Sequence, residues 1–216
     1  METGTEMATD PAPGGPAAPA LILASTSASR QAMLTAAGVP FEAIPPRVDE
    51  DELKASLKAQ KASPRAIADA LAETKALKIS SRIPGALVLG CDQVLSFGKA
   101  DMLDKPRSLE EARQHLEMLR GQEHKLISAA VIAQNGQAVW RFVDTATLTM
   151  RAFTPEFLDD YLAHEGEAIL GCVGCYRLEG RGAQLFSRIN GDFFTILGLP
   201  LLAVLDYLRE RKVLIR

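Results

Sequence analysis

The stretch Leu21-Ile-Leu-Ala-Ser-Thr-Ser-Ala-Ser-Arg30 decides how the chain folds. An apolar run stops at Ser25, and hydroxyl side chains and an arginine follow before a helical pattern begins. A buried strand that feeds a helix through a Ser-rich turn opens an α/β domain. It also aims backbone N–H groups and the positive end of a helix dipole at one point. That point suits a phosphate, because Ser25, Ser27 and Ser29 add donors and Arg30 can make two parallel hydrogen bonds. The same residues also fit a plain serine N-cap followed by a surface arginine.

Working outward, strands and helices alternate. Leu21–Ala24 reads as a strand and Ala28–Ala37 as a helix that Gly38 stops. Phe41–Ile44 is extended and runs into an acidic turn, Val48-Asp-Glu-Asp-Glu52. Ser63-Pro64 caps a helix in which Ile67, Leu71, Thr74 and Leu77 recur at helical spacing. Ala86–Phe97 is a long apolar strand holding one charge, Asp92. Ser108-Leu-Glu-Glu111 is a capping box for a helix ending at Gly121. Lys125–Gln134 and Gln137–Leu148 flank Asn135-Gly136, the sequence of a tight hairpin turn. A helix from Thr154-Pro155 closes at Gly166, a Gly-rich passage spans 171–182, and a strand covers Gln184–Ile189. Gly198-Leu-Pro-Leu201 then leads into a C-terminal helix. The hairpin forces at least one antiparallel pair, so the expected fold is α/β, a mixed twisted sheet flanked by helices.

Composition narrows the function. The 216 residues are 47% hydrophobic with a formal charge of −3, and the isoelectric point is about 5.7. That balance argues against a bulk nucleic-acid binder, but a few local cations can still hold a small anion. No apolar run reaches the roughly 20 residues of a membrane span. Residues 1–20 are rich in Pro, Gly and Ala and contain no Lys or Arg. They read as a disordered tail rather than a secretory signal, and a cytoplasmic location is expected. Cys172-Val-Gly-Cys175 has the spacing of zinc ribbons and redox sites, but no second ligand pair accompanies it. Buried small thiols are the simpler reading.

Three charges stand out. Asp92 interrupts an apolar strand, where a carboxylate is costly unless paired, metal-bound or open to a cleft. Lys105, in Asp104-Lys-Pro106, is placed to return to the end of that strand. Lys75 lies on the Ser63 helix. With Ser25 and Arg30 these residues supply what phosphoanhydride hydrolysis needs, namely cations for the phosphates and a carboxylate to hold a metal or deprotonate water.

These residues fall into a series of ordered motifs. They are L-A-S-T-S (23–27), V-D-E (48–50), A-x-x-K-A (72–76), G-x-D-Q-V (90–94), K-P (105–106), L-x-G-x-x-H (119–124), E-G (179–180), N-G (190–191) and G-L-P-L (198–201). In this order the chain resembles the Maf nucleoside triphosphate pyrophosphatases from residue 21 to its end at 216, with only the tail outside. The resemblance implies two lobes around a nucleotide cleft and hydrolysis of a nucleoside triphosphate to monophosphate and pyrophosphate with a divalent metal, Mg²⁺ or Mn²⁺. It places the catalytic carboxylate at Asp92, phosphate contacts at Ser25, Arg30, Lys75 and Lys105, and Glu50 near the metal. It leaves a homodimer open.

Within the family, Gln93 after the aspartate and Glu179 before the glycine look like the branch that acts on 7-methyl-GTP. N7 methylation makes guanine cationic, which favours a carboxylate at its edge over an amide. The chain departs from the family at Ala28, Ser29 and Gln31, where Pro, an aromatic or Arg, and a further Arg are usual. A nucleotide-binding regulator with weak catalysis is the alternative these departures permit.

Overall fold

The computed structural model describes residues 21–99 and 101–215, so the tail expected at 1–20 lies outside it. In chain order the elements are β1 (Leu21–Ala24), α1 (Ala28–Ala36), β2 (Glu42–Ala43), α2 (Glu50–Ala59), α3 (Pro64–Ser80), β3 (Leu87–Phe97), β4 (Asp101–Leu103), α4 (Leu109–Leu119), β5 (Glu123–Gln134), β6 (Gln137–Met150), α5 (Pro155–Glu165), β7 (Phe186–Asn190), α6 (Phe193–Ile196) and α7 (Leu201–Glu210). The strands form one mixed sheet in the order β2-β1-β3-β5-β6-β7, with β4 added to β3. β1 runs parallel to β2 and β3, and the other pairs are antiparallel. No helix among the described residues is long and apolar enough to cross a membrane.

β3 organises the molecule. β5 pairs with it from Val88 to Phe97. On its other edge β1 pairs only up to Gly90, and β4 begins only at Leu95. Residues 91–94 therefore have no sheet neighbour on that edge, and the chain leaving β1 at Ser25 opens onto the gap. Open α/β sheets place ligands where strand ends diverge in this way.

Gly90 sets the depth of helix packing. A Cβ there would lie 2.2 Å from the Ala72 carbonyl oxygen and 2.6 Å from the Ala76 nitrogen. Only glycine lets α3 lie this close to β3, and Ala72 and Ala76 keep the facing side small. Ile67, Leu71 and Val131 fill the rest of that contact, all fully buried. A second apolar cluster joins β1 and α1 to α7 through Leu23, Leu34 and Val204. A third, built on Leu95, Leu116, Leu148 and Tyr161, forms the lobe carrying α4 and α5.

The local expectations largely match these elements. Asn135 (φ 52°) and Gly136 (φ 76°) make the left-handed pair that the β5–β6 turn requires. The acidic turn expected at 48–52 is different. Asp49 is an N-cap accepting from the Glu52 N–H at 3.0 Å, and the helix α2 follows to Ala59. Strand β7 starts two residues later than expected, because Arg181–Leu185 forms a 3₁₀ turn first.

Candidate active site

The gap beside β3 opens into a cleft of about 780 Å³. Ser27, Ser29, Arg30, Glu50, Lys75, Asp92, Gln93, Lys105 and Glu179 all line it. Ser25 stands just behind, 5% exposed, with its hydroxyl accepting from Arg30 Nη1 at 3.4 Å.

At the floor Lys75 bridges two carboxylates. Its Nζ is 2.6 Å from Asp92 Oδ1 and 2.9 Å from Glu50 Oε1. The pairing follows from the fold. Gly90 and Asp92 lie two apart on one strand and share a face, so the helix that Gly90 admits brings Lys75 over Asp92. The side chains of Lys75 and Asp92 are each 7% exposed, whereas Glu50 is 40% exposed. Asp92 Oδ2 is buried with no hydrogen-bond partner. An unsatisfied buried carboxylate oxygen is costly and marks a place where a ligand group or ion belongs.

The Ser-rich turn caps a helix and also lines the cleft. Ser27 is the N-cap of α1, accepting from the Arg30 N–H at 3.4 Å. The Arg30 side chain is not a solvated surface group. Its Nε donates to the Gly198 carbonyl at 2.8 Å, which leaves other guanidinium N–H groups for an anion. Burial and the nearby Arg30 charge both push the Lys105 ammonium below its usual range. A cluster of cations held together in this way favours an anionic ligand.

Gln93 faces the other side of the sheet from Asp92. Its Nε2 lies 3.0 Å from Ser128 Oγ and 3.0 Å from the carbonyls of Thr195 and Ile196. Glu179 is exposed and lines the cleft, as do Cys172 and Arg177.

Sequence reading missed two cations. Lys54 and Arg107 also line the cleft. Lys54 Nζ is 2.9 Å from Asp104 Oδ1. Burial lowers the Lys54 pKa, but the Asp104 hydrogen bond and charge outweigh it and hold it above the usual value. That pair ties α2 to the segment carrying Lys105. The overlooked signal was Asp49-x-x-Glu52 ahead of Leu53 and Leu57, a helix start that a run of acids disguised. Cys91, Cys172 and Cys175 are free thiols, Cys91 and Cys175 buried and Cys172 half-buried. Burial pushes the Cys175 thiol up to about 12 and also raises Cys172, with the Glu179 charge adding to the latter. A raised thiol pKa disfavours the thiolate, the nucleophilic form.

A family model described as Maf-like protein matches residues 20–211. The chain belongs to the Maf family. Among its relatives, a Caulobacter vibrioides protein named nucleoside triphosphate pyrophosphatase is 54% identical over 187 residues, covering 87% of this chain and 93% of that protein. A Ruegeria pomeroyi protein of the same name is 53% identical over 90% of this chain and 97% of its own length. A Mesorhizobium japonicum protein named 7-methyl-GTP pyrophosphatase is 50% identical over 88% of this chain and 94% of its own. The fold and cleft of this Maf protein thus sit among relatives named for hydrolysis, and none of these names describes a binding regulator.

The donor set also bears on a metal. Among the described residues no group of three or more His, Cys, Asp and Glu side chains converges. Two carboxylates do meet at Lys75, and one of them keeps a free buried oxygen. Mg²⁺ is commonly held by one or two carboxylates, with phosphate oxygens and water completing its shell. The residues fit such an ion.

Proposed function

We propose that this Maf protein hydrolyses nucleoside triphosphates to the monophosphate and pyrophosphate, with Asp92 as general base. The observation that carries the reading is the buried Asp92 carboxylate, paired through one oxygen to Lys75 and unpartnered at the other, in a cleft lined by Arg30 and Lys105. Arg30, Lys105 and the hydroxyls of Ser25, Ser27 and Ser29 bind the triphosphate. Lys75 orients Asp92 through the 2.6 Å hydrogen bond to Oδ1. Water loses a proton to Asp92 Oδ2 and attacks the α-phosphorus. The bond from that phosphorus to the bridging oxygen breaks, and pyrophosphate departs with its charge spread over Arg30 and Lys105. Asp92 and Glu50 are the residues that would hold Mg²⁺ or Mn²⁺, which supplies charge neutralisation at the phosphates when bound.

For the base, we propose a preference for a cationic purine such as 7-methylguanine. Glu179 on the cleft wall supports it, as does the name of the Mesorhizobium relative. The usual aromatic position is filled by Ser29, and the one ring among the described lining residues, Tyr176, has its hydroxyl hydrogen-bonded with His124 Nε2 at 2.7 Å. Charge rather than stacking then does the recognition.

Phosphorus NMR of the products tests the reaction, and orthophosphate plus diphosphate as main products overturns it. A panel of 7-methyl-GTP, UTP, dTTP and CTP tests the base. Glu179→Gln should lower relative kcat/KM for 7-methyl-GTP by about 5–30-fold, equivalent to losing one charge contact in a partly wet site. An equal loss on every nucleotide removes the base assignment and leaves the reaction assignment standing.

A further inference from the structure

One row of polar side chains crosses the sheet without entering the chemistry proposed above. Gln93 on β3 is in register with Ser128 on β5, and Ser128 with Asp144 on β6. The three therefore share one face and stand in line across three strands. The four-residue helix α6 is seated on that row. Thr195, fully buried, donates its hydroxyl to Asp144 Oδ2 at 2.7 Å. Its carbonyl accepts from Ser128 Oγ at 2.7 Å and from Gln93 Nε2 at 3.0 Å.

The same carbonyl accepts the Gly198 N–H at 3.1 Å, and the Gly198 carbonyl in turn accepts from Arg30 Nε at 2.8 Å. Gly198 has φ +99°, a conformation that other residues adopt only under strain, and a Cβ there would come within 3.4 Å of Arg30 Nη2. A run of hydrogen bonds thus passes from Asp144 to the arginine in the cleft.

Apolar residues could seat a short helix on a sheet without the desolvation that a buried hydroxyl and carboxylate incur. What the polar row adds is direction. It fixes where the carbonyls of α6 and the backbone after it point. We propose that Asp144, Ser128 and Thr195 are positioning residues that hold the Gly198 carbonyl, and through it the Arg30 guanidinium, in the pose that binds phosphate. This rests on the reading of Arg30 as a phosphate ligand.

The test is a double-mutant cycle between Thr195→Val and Arg30→Ala, with inorganic pyrophosphate binding by calorimetry and nucleotide KM and kcat as readouts. Thr195→Val keeps the side-chain shape and removes the bond to Asp144. It should weaken pyrophosphate binding and raise KM about three- to tenfold with a smaller change in kcat. Thr195→Ser, which keeps the hydroxyl, should restore both to within about twofold. In the Arg30→Ala background Thr195→Val should add less than about a further twofold, because its route of action is gone. Asp144→Asn is read in parallel and should follow Thr195→Val in direction, so the outcome does not depend on one variant folding. A full, additive loss in the Arg30→Ala background overturns the positioning role while leaving the clamp intact. Unchanged pyrophosphate affinity in Arg30→Ala alone overturns the clamp itself, and the inference with it.

Discussion

Asp92→Asn tests the centre of the site most directly. The substitution keeps the side-chain shape and removes both the basic oxygen and the charge facing Lys75. A general base contributes about 10²–10⁴-fold, so kcat should fall by that factor. The effect on stability follows from the contacts. Lys75 and Asp92 lie 2.6 Å apart with side chains 7% exposed, and breaking such a buried pair costs about 3–5 kcal/mol when a charge is stranded. Here Lys75 keeps Glu50 at 2.9 Å, and asparagine still offers a carbonyl oxygen. The cost should therefore shrink to about 1–2 kcal/mol, or roughly 2–8 °C in Tm for a domain of this size. The assay is pyrophosphate release at saturating nucleotide, with Mg²⁺ or Mn²⁺ raised until the rate levels off, beside a calorimetric melt. Turnover within tenfold of the parent in a folded protein refutes the base assignment. So does a loss confined to KM, because a base acts on the transition state.

Other perturbations probe the scaffold. Gly90→Ala drives a methyl into the backbone of α3, where the nearest atom is 2.2 Å away; it should destabilise by at least about 1–3 kcal/mol and lower kcat as Lys75 leaves Asp92, and an unchanged melt together with unchanged activity would sink the packing argument. Burial holds His124 down to about 4, and its Nδ1 has no partner to welcome a proton. The unfolded chain therefore binds the extra proton between pH 6.5 and about 4. His124 should contribute full stability above pH 6.5 and lose up to about 3 kcal/mol as pH falls through that window, a slope that His124→Gln should flatten in acid melts. The Cys172→Ser, Cys175→Ser double variant should keep most activity and the purified protein should carry no stoichiometric zinc by elemental analysis, whereas activity that follows thiol redox state would make the pair functional.

What sequence made legible here was local. A Ser-capped strand-to-helix turn, an Asn-Gly hairpin and a lone aspartate in an apolar strand each announce themselves within a dozen residues, and each is present in the structure. The helix α2 was illegible for a physical reason. None of its residues is buried, so its apolar stripe is thin, and the acids that favour its first turn also resemble a solvated loop. Several charged cleft residues stood out in the sequence, though not Lys54 or Arg107, and the grouping of none of them did. Lys75 meets Asp92 because Gly90 and two alanines admit a helix at close range, and nothing in A-x-x-K-A alone states that distance.

Gln93 shows the limit most sharply. The family resemblance singled it out as a mark of the substrate branch, and it does line the cleft. Side chains alternate along a strand, so Gln93 and its neighbour Asp92 face opposite sides of the sheet. Asp92 points to the helix that carries Lys75, and Gln93 points to the row shared with Ser128 and Asp144. That row exists only through the register of β3 with β5 and of β5 with β6, pairings that join residues 35 apart in one case. Adjacent letters in G-x-D-Q-V thus serve two different layers. One holds the Asp92 carboxylate against Lys75, and the other holds the backbone whose Gly198 carbonyl accepts from Arg30.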